Sequence, residues 1–368
     1  MIRLEQVSKQ FGPVTAVDRV DMVVPAGAVC VLLGPSGCGK TTTMRMINRL
    51  IEPTSGRILV DGRDTATVDQ VSLRRSIGYV IQQIGLFPNM TVEDNICVVP
   101  DLLGWPRAKA RKRAAELLEL VNLDPGIFLK RYPKELSGGQ AQRVGVVRAL
   151  AADPPVLLMD EPFGAIDPIN REVIQDEFMK LQAELRKTVV FVSHDIDEAV
   201  KMATRIAIFR DGRLIQYDTP DRLLAHPIDA FVAEFVGSDR TLKRLRLIRV
   251  AEAMMADPPR VTAEETVETA VGRMQDHGHV AIVMVGPRGR ARGVVRLDAV
   301  REARGLVGEH QEPLPGVVNV KDDLRAAVSQ MFTHGVTWLA CVDDEGFYRG
   351  YITQTGITRM LGATAGEG

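Results

Sequence analysis

The four cysteines of this chain, Cys30, Cys38, Cys97 and Cys341, form no CxxC pair and no metal-ligand spacing. That absence argues against a disulfide scaffold or a structural zinc site. Reduced, mostly buried thiols in a cytosolic protein are expected instead. No stretch approaches the roughly 18–20 apolar residues a membrane span needs. Met1 leads straight into Ile2-Arg3-Leu4-Glu5, without the basic and apolar regions of a secretory signal. Any membrane role is therefore expected to come through a partner. An excess of one charge is missing too: 46 Lys and Arg face 47 Asp and Glu, a formal net charge of −1. A chain held to nucleic acid by bulk attraction is normally strongly basic, so no nucleic-acid partner is expected.

What is present is an ordinary globular composition, 45% hydrophobic and 25% charged over 368 residues. It has enough apolar material for two domains or three. Residues 1–237 read as one α/β unit in which short β-rich runs alternate with helical patterns. Three continuous apolar strands stand out: Val29–Leu33, Val156–Met159 and Thr188–Val192. Each ends in polar residues, and open α/β sheets gather ligands at strand carboxyl ends. Between about 85 and 135 the pattern turns helical, with Leu117, Leu118 and Val121 at helical spacing. Residues 238–250 are basic and punctuated by Leu; they read as a solvated linker helix, with a docking surface for acidic lipid or protein as the alternative.

The remainder repeats itself. Met274 matches Met331, His277 matches His334, Gly278 matches Gly335, Gly289 matches Gly346, Arg292 matches Arg349 and Gly293 matches Gly350, every pair 57 positions apart. Two units in one register imply a pseudo-symmetric pair, each unit a helix, a strand, a Gly turn and a strand. His277 and His334 each precede Gly, which places them at helix ends better than at a metal.

The residues that carry chemistry lie in the first unit. Gly34-Pro35-Ser36-Gly37-Cys38-Gly39-Lys40-Thr41-Thr42 fits GxxxxGK[ST], follows an apolar strand and opens a helix. Glycines let backbone N–H groups turn inward on phosphates, and the helix N-terminus adds positive potential. Lys40 would bridge the β- and γ-phosphates and Thr41 would ligate Mg²⁺. Cys38 inside the loop is expected to be sensitive to alkylation. Asp160 and Glu161 end the second strand, the first placed to hold the metal shell and the second to polarise a water as general base. His194, beyond the third strand, can orient that water. Leu136-Ser137-Gly138-Gly139-Gln140 precedes a long helix and makes a second anion-binding N-terminus. One triphosphate does not need two cradles from one chain, so this one is expected to cap the nucleotide of a neighbouring subunit.

With these motifs in this order, residues 1–237 resemble the ATP-binding subunit of an ABC importer. The resemblance implies an α/β P-loop ATPase domain: a mostly parallel sheet core, an antiparallel β edge and a helical subdomain. It implies ATP and Mg²⁺ as cofactors and a head-to-tail dimer of two copies. It implies Phe11 stacking on adenine and Gln82 (or its neighbour Gln83) at the Q-loop, touching Mg²⁺ and sensing the permease. It also implies a D-loop at Ala165-Ile166-Asp167. The C-terminal repeat resembles a tandem α+β pair of CBS domains, with units at 251–308 and 309–361 and a short tail at 362–368. Among ABC importers this appendage points to the quaternary-amine group, importing glycine betaine, choline, carnitine or proline betaine. The partners implied are transmembrane permease subunits and, indirectly, an external binding protein, with the chain peripheral at the cytoplasmic face of the inner membrane. Importers of other small solutes, or a soluble ABC ATPase of translation or repair, are the alternatives. Neither CBS unit keeps the full ribose grip of nucleotide-binding relatives. The first reads Gly293-Val294-Val295-Arg296-Leu297-Asp298 and the second Gly350-Tyr351-Ile352-Thr353-Gln354-Thr355-Gly356. An adenine nucleotide remains a candidate ligand there, beside a dimerisation module or an ionic-strength sensor.

Overall fold

The computed structural model describes every residue except 82–84, 165 and 364–368. It forms two compact units, the first Met1–Leu223 with Pro227–Gly237, the second Leu224–His226 with Ser238–Gly368. In chain order the strands of the first unit are β1 (Ile2–Phe11), β2 (Val14–Val24), β3 (Val29–Leu33), β4 (Ser55–Val60), β5 (Arg63–Asp64), β6 (Ile77–Val80), β7 (Val156–Asp160), β8 (Thr188–Val192), β9 (Arg205–Arg210) and β10 (Arg213–Asp218). Its helices begin with α1 (Lys40–Ile47), α2 (Gln70–Ser76), α3 (Val92–Leu102), α4 (Arg107–Leu120), α5 (Pro125–Phe128), α6 (Gly138–Leu150), α7 (Pro168–Leu185) and α8 (Ile196–Met202).

Two sheets result. Strands β2-β1-β4-β5 pair antiparallel, and β10-β9-β3-β8-β7-β6 form a sheet that is parallel except at β10. The short strands β3, β7 and β8 are buried along their whole length, as a strand covered on both faces must be. Strand β2 instead alternates, burying Val17, Val20, Met22 and Val24. Ile2 and Leu4 of one sheet, Leu32 and Val192 of the other, and Met44 and Ile47 of α1 share a single core. That core fixes α1 against both sheets. The helical subdomain follows from α4, which buries Ala110, Ala114, Leu117 and Leu118. Asn95, fully buried, pins the loop before α3 by accepting from Phe87 N at 2.7 Å and donating to the carbonyls of Phe87, Met90 and Thr91.

The chain continues with α9 (Pro220–Ala225), α10 (Ala230–Val236), α11 (Arg240–Arg244), α12 (Val250–Ala253), α13 (Val267–Asp276), α14 (Leu297–Val300), α15 (Leu324–His334) and α16 (Gln354–Ala363). The strands of the second unit are β11 (Met255–Ala256), β12 (Arg260–Val261), β13 (Ala281–Val285), β14 (Ala291–Arg296), β15 (Val317–Asn319), β16 (Trp338–Val342) and β17 (Tyr348–Thr353). The 57-residue offset maps β13 onto β16 and β14 onto β17 residue for residue. His277 caps α13 and His334 ends α15, the latter followed by left-handed Gly335, so both histidines sit at helix ends.

The structure departs from the sequence expectation in two places. First, the two repeats share sheets across the boundary expected at 308/309. β11, which precedes the first repeat's helix, pairs with β17 of the second, Met255 opposite Tyr351. The equivalent Glu312 returns the exchange, bonding both ways to Val294 of β14 at 2.9 Å. Arg290 bridges Phe347, its own repeat equivalent, which places a pseudo-twofold axis between them. A Cβ on Gly350 would lie 2.3 Å from Met255 O, so this approach of backbones requires glycine. The boundary drawn at 308/309 therefore cuts through two shared sheets.

Second, residues 238–250 are not a solvated linker. Leu245, Ile248 and Val250 are buried in one core with Val318, Leu324, Met331, Leu339 and Ile352. The backbone is tied to the second repeat as well: Val250 N donates to Asp322 O at 2.8 Å and Leu324 N to Ile248 O at 3.0 Å. Arg246 and Arg249 stay exposed while Arg244, Leu245, Ile248 and Val250 turn in, which a count of charge alone does not reveal.

Ile248→Ala should therefore destabilise the C-terminal unit by about 2–4 kcal/mol through the cavity it leaves. Urea unfolding followed by Trp338 fluorescence checks this. A residue on a solvated linker would move stability by no more than about 0.5 kcal/mol.

Candidate nucleotide site

The loop Gly34–Gly39 leaves β3 and enters α1 through three left-handed glycines, with φ of 142° at Gly34, 79° at Gly37 and 103° at Gly39. Two of these are forced by crowding. A Cβ on Gly34 would stand 2.2 Å from Phe209 O, and one on Gly39 2.5 Å from Ala16 O. The Cys38 carbonyl accepts from Gly212 N at 3.2 Å and Thr43 Oγ1 donates to Gly39 O at 2.9 Å. The loop is thus wedged against β2 and β9. Above Gly37, by contrast, an added Cβ would meet nothing within 4 Å. Ser36 is exposed there, and Thr41 and Thr42 are half-buried at the start of α1. The cradle is open on the face where a triphosphate would lie.

Lys40 is buried, and its ammonium donates to Gly34 O at 2.7 Å and Pro35 O at 2.9 Å. It holds the loop's shape with the charge a phosphate would need. Cys38 Sγ lies 3.6 Å from the same nitrogen. The expected alkylation of Cys38 does not fit this setting: the thiol is 4% exposed and burial pushes its pKa up, against the pull of Lys40. Burial likewise drives the Cys30 and Cys341 thiols up to about 12 and Cys97 to about 11, and all four cysteines are buried and free of disulfides.

Asp160 ends β7 facing α1, and Thr41 Oγ1 donates to its Oδ1 at 3.2 Å. Burial raises the Asp160 pKa. The Thr41 hydrogen bond and the charge of Arg45 oppose that, while Glu161 adds to it. A buried carboxylate and a hydroxyl this close suit a hard divalent cation that completes its shell with substrate oxygens. Among the described residues no group of three or more His, Cys, Asp and Glu could hold a metal alone.

Glu161 is held with φ of 45°, a left-handed conformation that costs a side-chain-bearing residue about 1 kcal/mol. Its N–H donates to Val192 O at 3.1 Å. His194 Nδ1 stands 3.8 Å from Glu161 Oε1 and its side chain is two-thirds exposed. The two groups face the same space beyond the sheet edge. The structure thus brings together the loop, Lys40, Thr41, Asp160, Glu161 and His194.

The other expected site residues stand apart from this cluster. Phe11 ends β1, 48% exposed, with Lys9 Nζ 5.0 Å from its ring centre. Ser137 caps α6 in a reciprocal box, its hydroxyl accepting from Gln140 N at 3.3 Å and its N–H donating to Gln140 Oε1 at 3.0 Å. Gly138 has open space around it, whereas a Cβ on Gly139 would press on Ile174 of α7 at 3.2 Å. Asp167 caps α7, accepting from Asn170. Gln82, Gln83 and Ala165 lie outside the described residues. Sequence reading missed the carbonyls of Ala16 and Phe209, which shape the loop, and Arg45 beside Asp160. No motif flags any of the three.

Comparison with known proteins agrees with this geometry. The ABC transporter family matches residues 17–164 and the CBS domain family residues 250–305. The osmoprotectant import ATP-binding protein OsmV of Salmonella typhimurium is 53% identical, the alignment covering 98% of this chain and 96% of that protein. The chain belongs to the ATP-binding subunits of osmoprotectant ABC importers. The glycine betaine/carnitine/choline transport ATP-binding protein OpuCA of Bacillus subtilis is 46% identical over the same 98% of the chain and 96% of its own length. An ATP-binding cassette solved as a dimer in a post-hydrolysis state with ADP and Pi superposes with a TM-score of 0.53. It is 36% identical and covers 60% of this chain and 98% of its own. The chain is thus an ATP-hydrolysing transport subunit of α/β ATPase plus CBS architecture.

Lys40→Ala removes the ammonium that lines the cradle. ATP affinity should fall at least tenfold, the worth of about 1.5–3 kcal/mol for hydrogen bonds to a charged group. Equilibrium titration with a fluorescent ATP analogue checks it; unaltered affinity would mean that the loop is misassigned.

Proposed function

We propose that two copies of this chain pair head to tail, so that Gly34–Thr42 of one and Ser137–Gln140 of the other clasp one triphosphate. The carrying observation is that the chain presents two separate anion-binding helix ends, α1 behind its glycine loop and α6 behind an exposed Ser137 and Gly138. A single γ-phosphate cannot use both in one copy. In this reading Phe11 stacks on adenine, Lys40 leaves the loop carbonyls for the β- and γ-phosphates, and Gly34, Ser36, Gly37, Cys38, Gly39 and Thr42 line the cradle. Mg²⁺ would be held by Thr41 and Asp160, with Gln82 as the further expected ligand, and would supply charge neutralisation on the phosphates. Glu161 takes a proton from the attacking water, and His194 orients it toward the γ-phosphate. Asp167 ends the D-loop segment, residues 165–167, that faces the partner copy in this reading.

Closure of the pair, favoured by ATP and reversed by hydrolysis, supplies the work of import. A permease loop is received in the groove of the first unit between Arg74, Tyr79, Phe87, Val98 and Arg148. Phe87 is 46% exposed there, an apolar anchor awaiting a partner. The chain then sits at the cytoplasmic face of the inner membrane, and the osmoprotectant reaches the permease from an external binding protein without touching it. Among the described residues no helix is long and apolar enough to cross a membrane.

The CBS pair is read as regulatory, and its two clefts differ. In the first, Arg296 and Asp298 pair at 2.7 Å and Glu312 adds a further charge. At equivalent positions the second has Thr353, Thr355 and Met255, opening toward His279, Tyr351, Trp338 and Arg359. His279 and Tyr351 meet edge to face at 5.3 Å, and burial, helped by the charge of His277, holds the His279 pKa down. Aromatic rings with a cation at the rim suit an adenine nucleotide in the second cleft alone.

Glu161→Gln should keep ATP affinity, lower turnover at least a hundredfold, about the low end of general-base contributions, and accumulate dimer with ATP on size-exclusion chromatography. Wild-type turnover would remove Glu161 as the base. For the CBS cleft, AMP titrated into Lys40→Ala protein by calorimetry should bind one equivalent per chain and be lost in Tyr351→Ala. Two equivalents, or none, would sink the one-cleft reading.

A further inference from the structure

The first unit buries a carboxylate that the hydrolytic cycle above leaves unused. Glu198 of α8 is 7% exposed, Gln175 of α7 4% and Ser193 2%. Ser193 Oγ donates to Glu198 Oε2, and Gln175 Nε2 donates to Oε1 at 3.0 Å. Both carboxylate oxygens are thereby matched with neutral donors. Burial raises the Glu198 pKa; the hydrogen bonds from Ser193 and Gln175 work against it. A carboxyl group buried at that cost, where a Met or Leu of similar size carries no polar group to desolvate, needs a reason beyond packing.

Its position supplies one. The Ser193 hydroxyl that donates to Glu198 also accepts from Asp195 N at 3.0 Å. One hydroxyl thus holds the residue before His194 by its side chain and the residue after it by its backbone. Asp195 in turn caps α8, accepting from Asp197 N at 2.8 Å and Glu198 N at 3.3 Å. Across this turn, Gln175 ties it to α7, the helix that Asp167 opens. Arg171, one turn earlier on α7, donates to Ile166 O at 2.9 Å and reaches Asp195 Oδ2 at 3.9 Å. Two rungs therefore join the His194 turn to the first turns of α7.

We propose that Glu198 is a positioning residue for ATP hydrolysis: through Ser193 and Gln175 it locks the turn bearing His194 to the helix that begins at Asp167. Movement of the Asp167 segment, which faces the partner copy, is then transmitted to His194 along a buried hydrogen-bonded path. Glu198 itself touches no substrate. The proposal rests on the assignment of His194 to the hydrolytic site.

The test is a double-mutant cycle of the full chain. Glu198→Ala should lower kcat at least about fivefold while the ATP dissociation constant stays within about twofold, since the cradle is untouched. Glu198→Gln, which keeps one acceptor for Ser193, should recover part of that loss. In a His194→Ala background, Glu198→Ala should cost no further turnover. An undiminished loss there would overturn the proposal, as would wild-type kcat in Glu198→Ala. Gln175→Met breaks the same path from α7 and carries the test if Glu198→Ala fails to fold. Should His194→Ala alone keep wild-type turnover, the assignment of His194 falls instead, a separate result.

Discussion

Everything in the nucleotide site depends on where three short buried strands end. β3, β8 and β7 are adjacent and parallel, and their pairing puts Leu32, Val192 and Asp160 in one row across the sheet. None of the three strands has an exposed residue, so polar chemistry can begin only where they leave the apolar layer. All three leave at the same edge within a residue or two. Gly34 begins the loop, Asp160 and Glu161 follow from β7, and Ser193 and His194 from β8. Slipping one strand by a single residue would reverse which face its side chains meet and scatter the cluster. Registry of the core, more than any one motif, is what makes the site.

The electrostatics of that edge prepare it for an exchange of partners. Lys40 is buried but satisfied, its ammonium on the carbonyls of Gly34 and Pro35. Asp160 is buried with its charge disfavoured, softened by one hydroxyl and by Arg45 and Lys40 at longer range. A triphosphate with its cation would relieve both at once, giving Lys40 anionic acceptors and Asp160 a cation. Neither group has to be carried out of water at that moment, because folding has already desolvated both. The left-handed Glu161 fits the same picture, a strained residue held by Val192 O at the place where chemistry is expected.

The phosphate loop, Asp160-Glu161, His194 and the Ser137 segment were legible in the sequence because each joins an unusual residue type to a strand end or helix start. The repeat was legible because an ungapped offset of 57 survives at glycines that the fold cannot replace. What escaped reading depends on pairing between distant segments. The Ala16 and Phe209 carbonyls that demand glycine at 39 and 34 carry no side-chain signature. Asp195, Asp197 and Glu198 crowd the start of α8, and only its depth sets Glu198 apart from exposed Asp197 beside it. Residues 238–250 misled because their charges dominate the composition while three apolar side chains decide their placement.

The exchange between the CBS repeats changes what counts as a unit. Each repeat's leading segment, Met255-Ala256 or Glu312, completes the sheet of the other. The sheet β12-β13-β14 has only three strands of its own, and its β14 edge is covered by the backbone around Glu312. The other sheet's β17 is covered in the same way by β11. An uncovered edge is an open template for pairing with other chains. The span 250–305 that matches the CBS family therefore holds one repeat's core and the other repeat's edge cover. Internal similarity marks where an ancestral pattern recurs along the chain. The hydrogen bonds show that pairing is shared across that recurrence, so the two repeats, with Leu245–Val250 packed beneath the second, form one hydrogen-bonded unit.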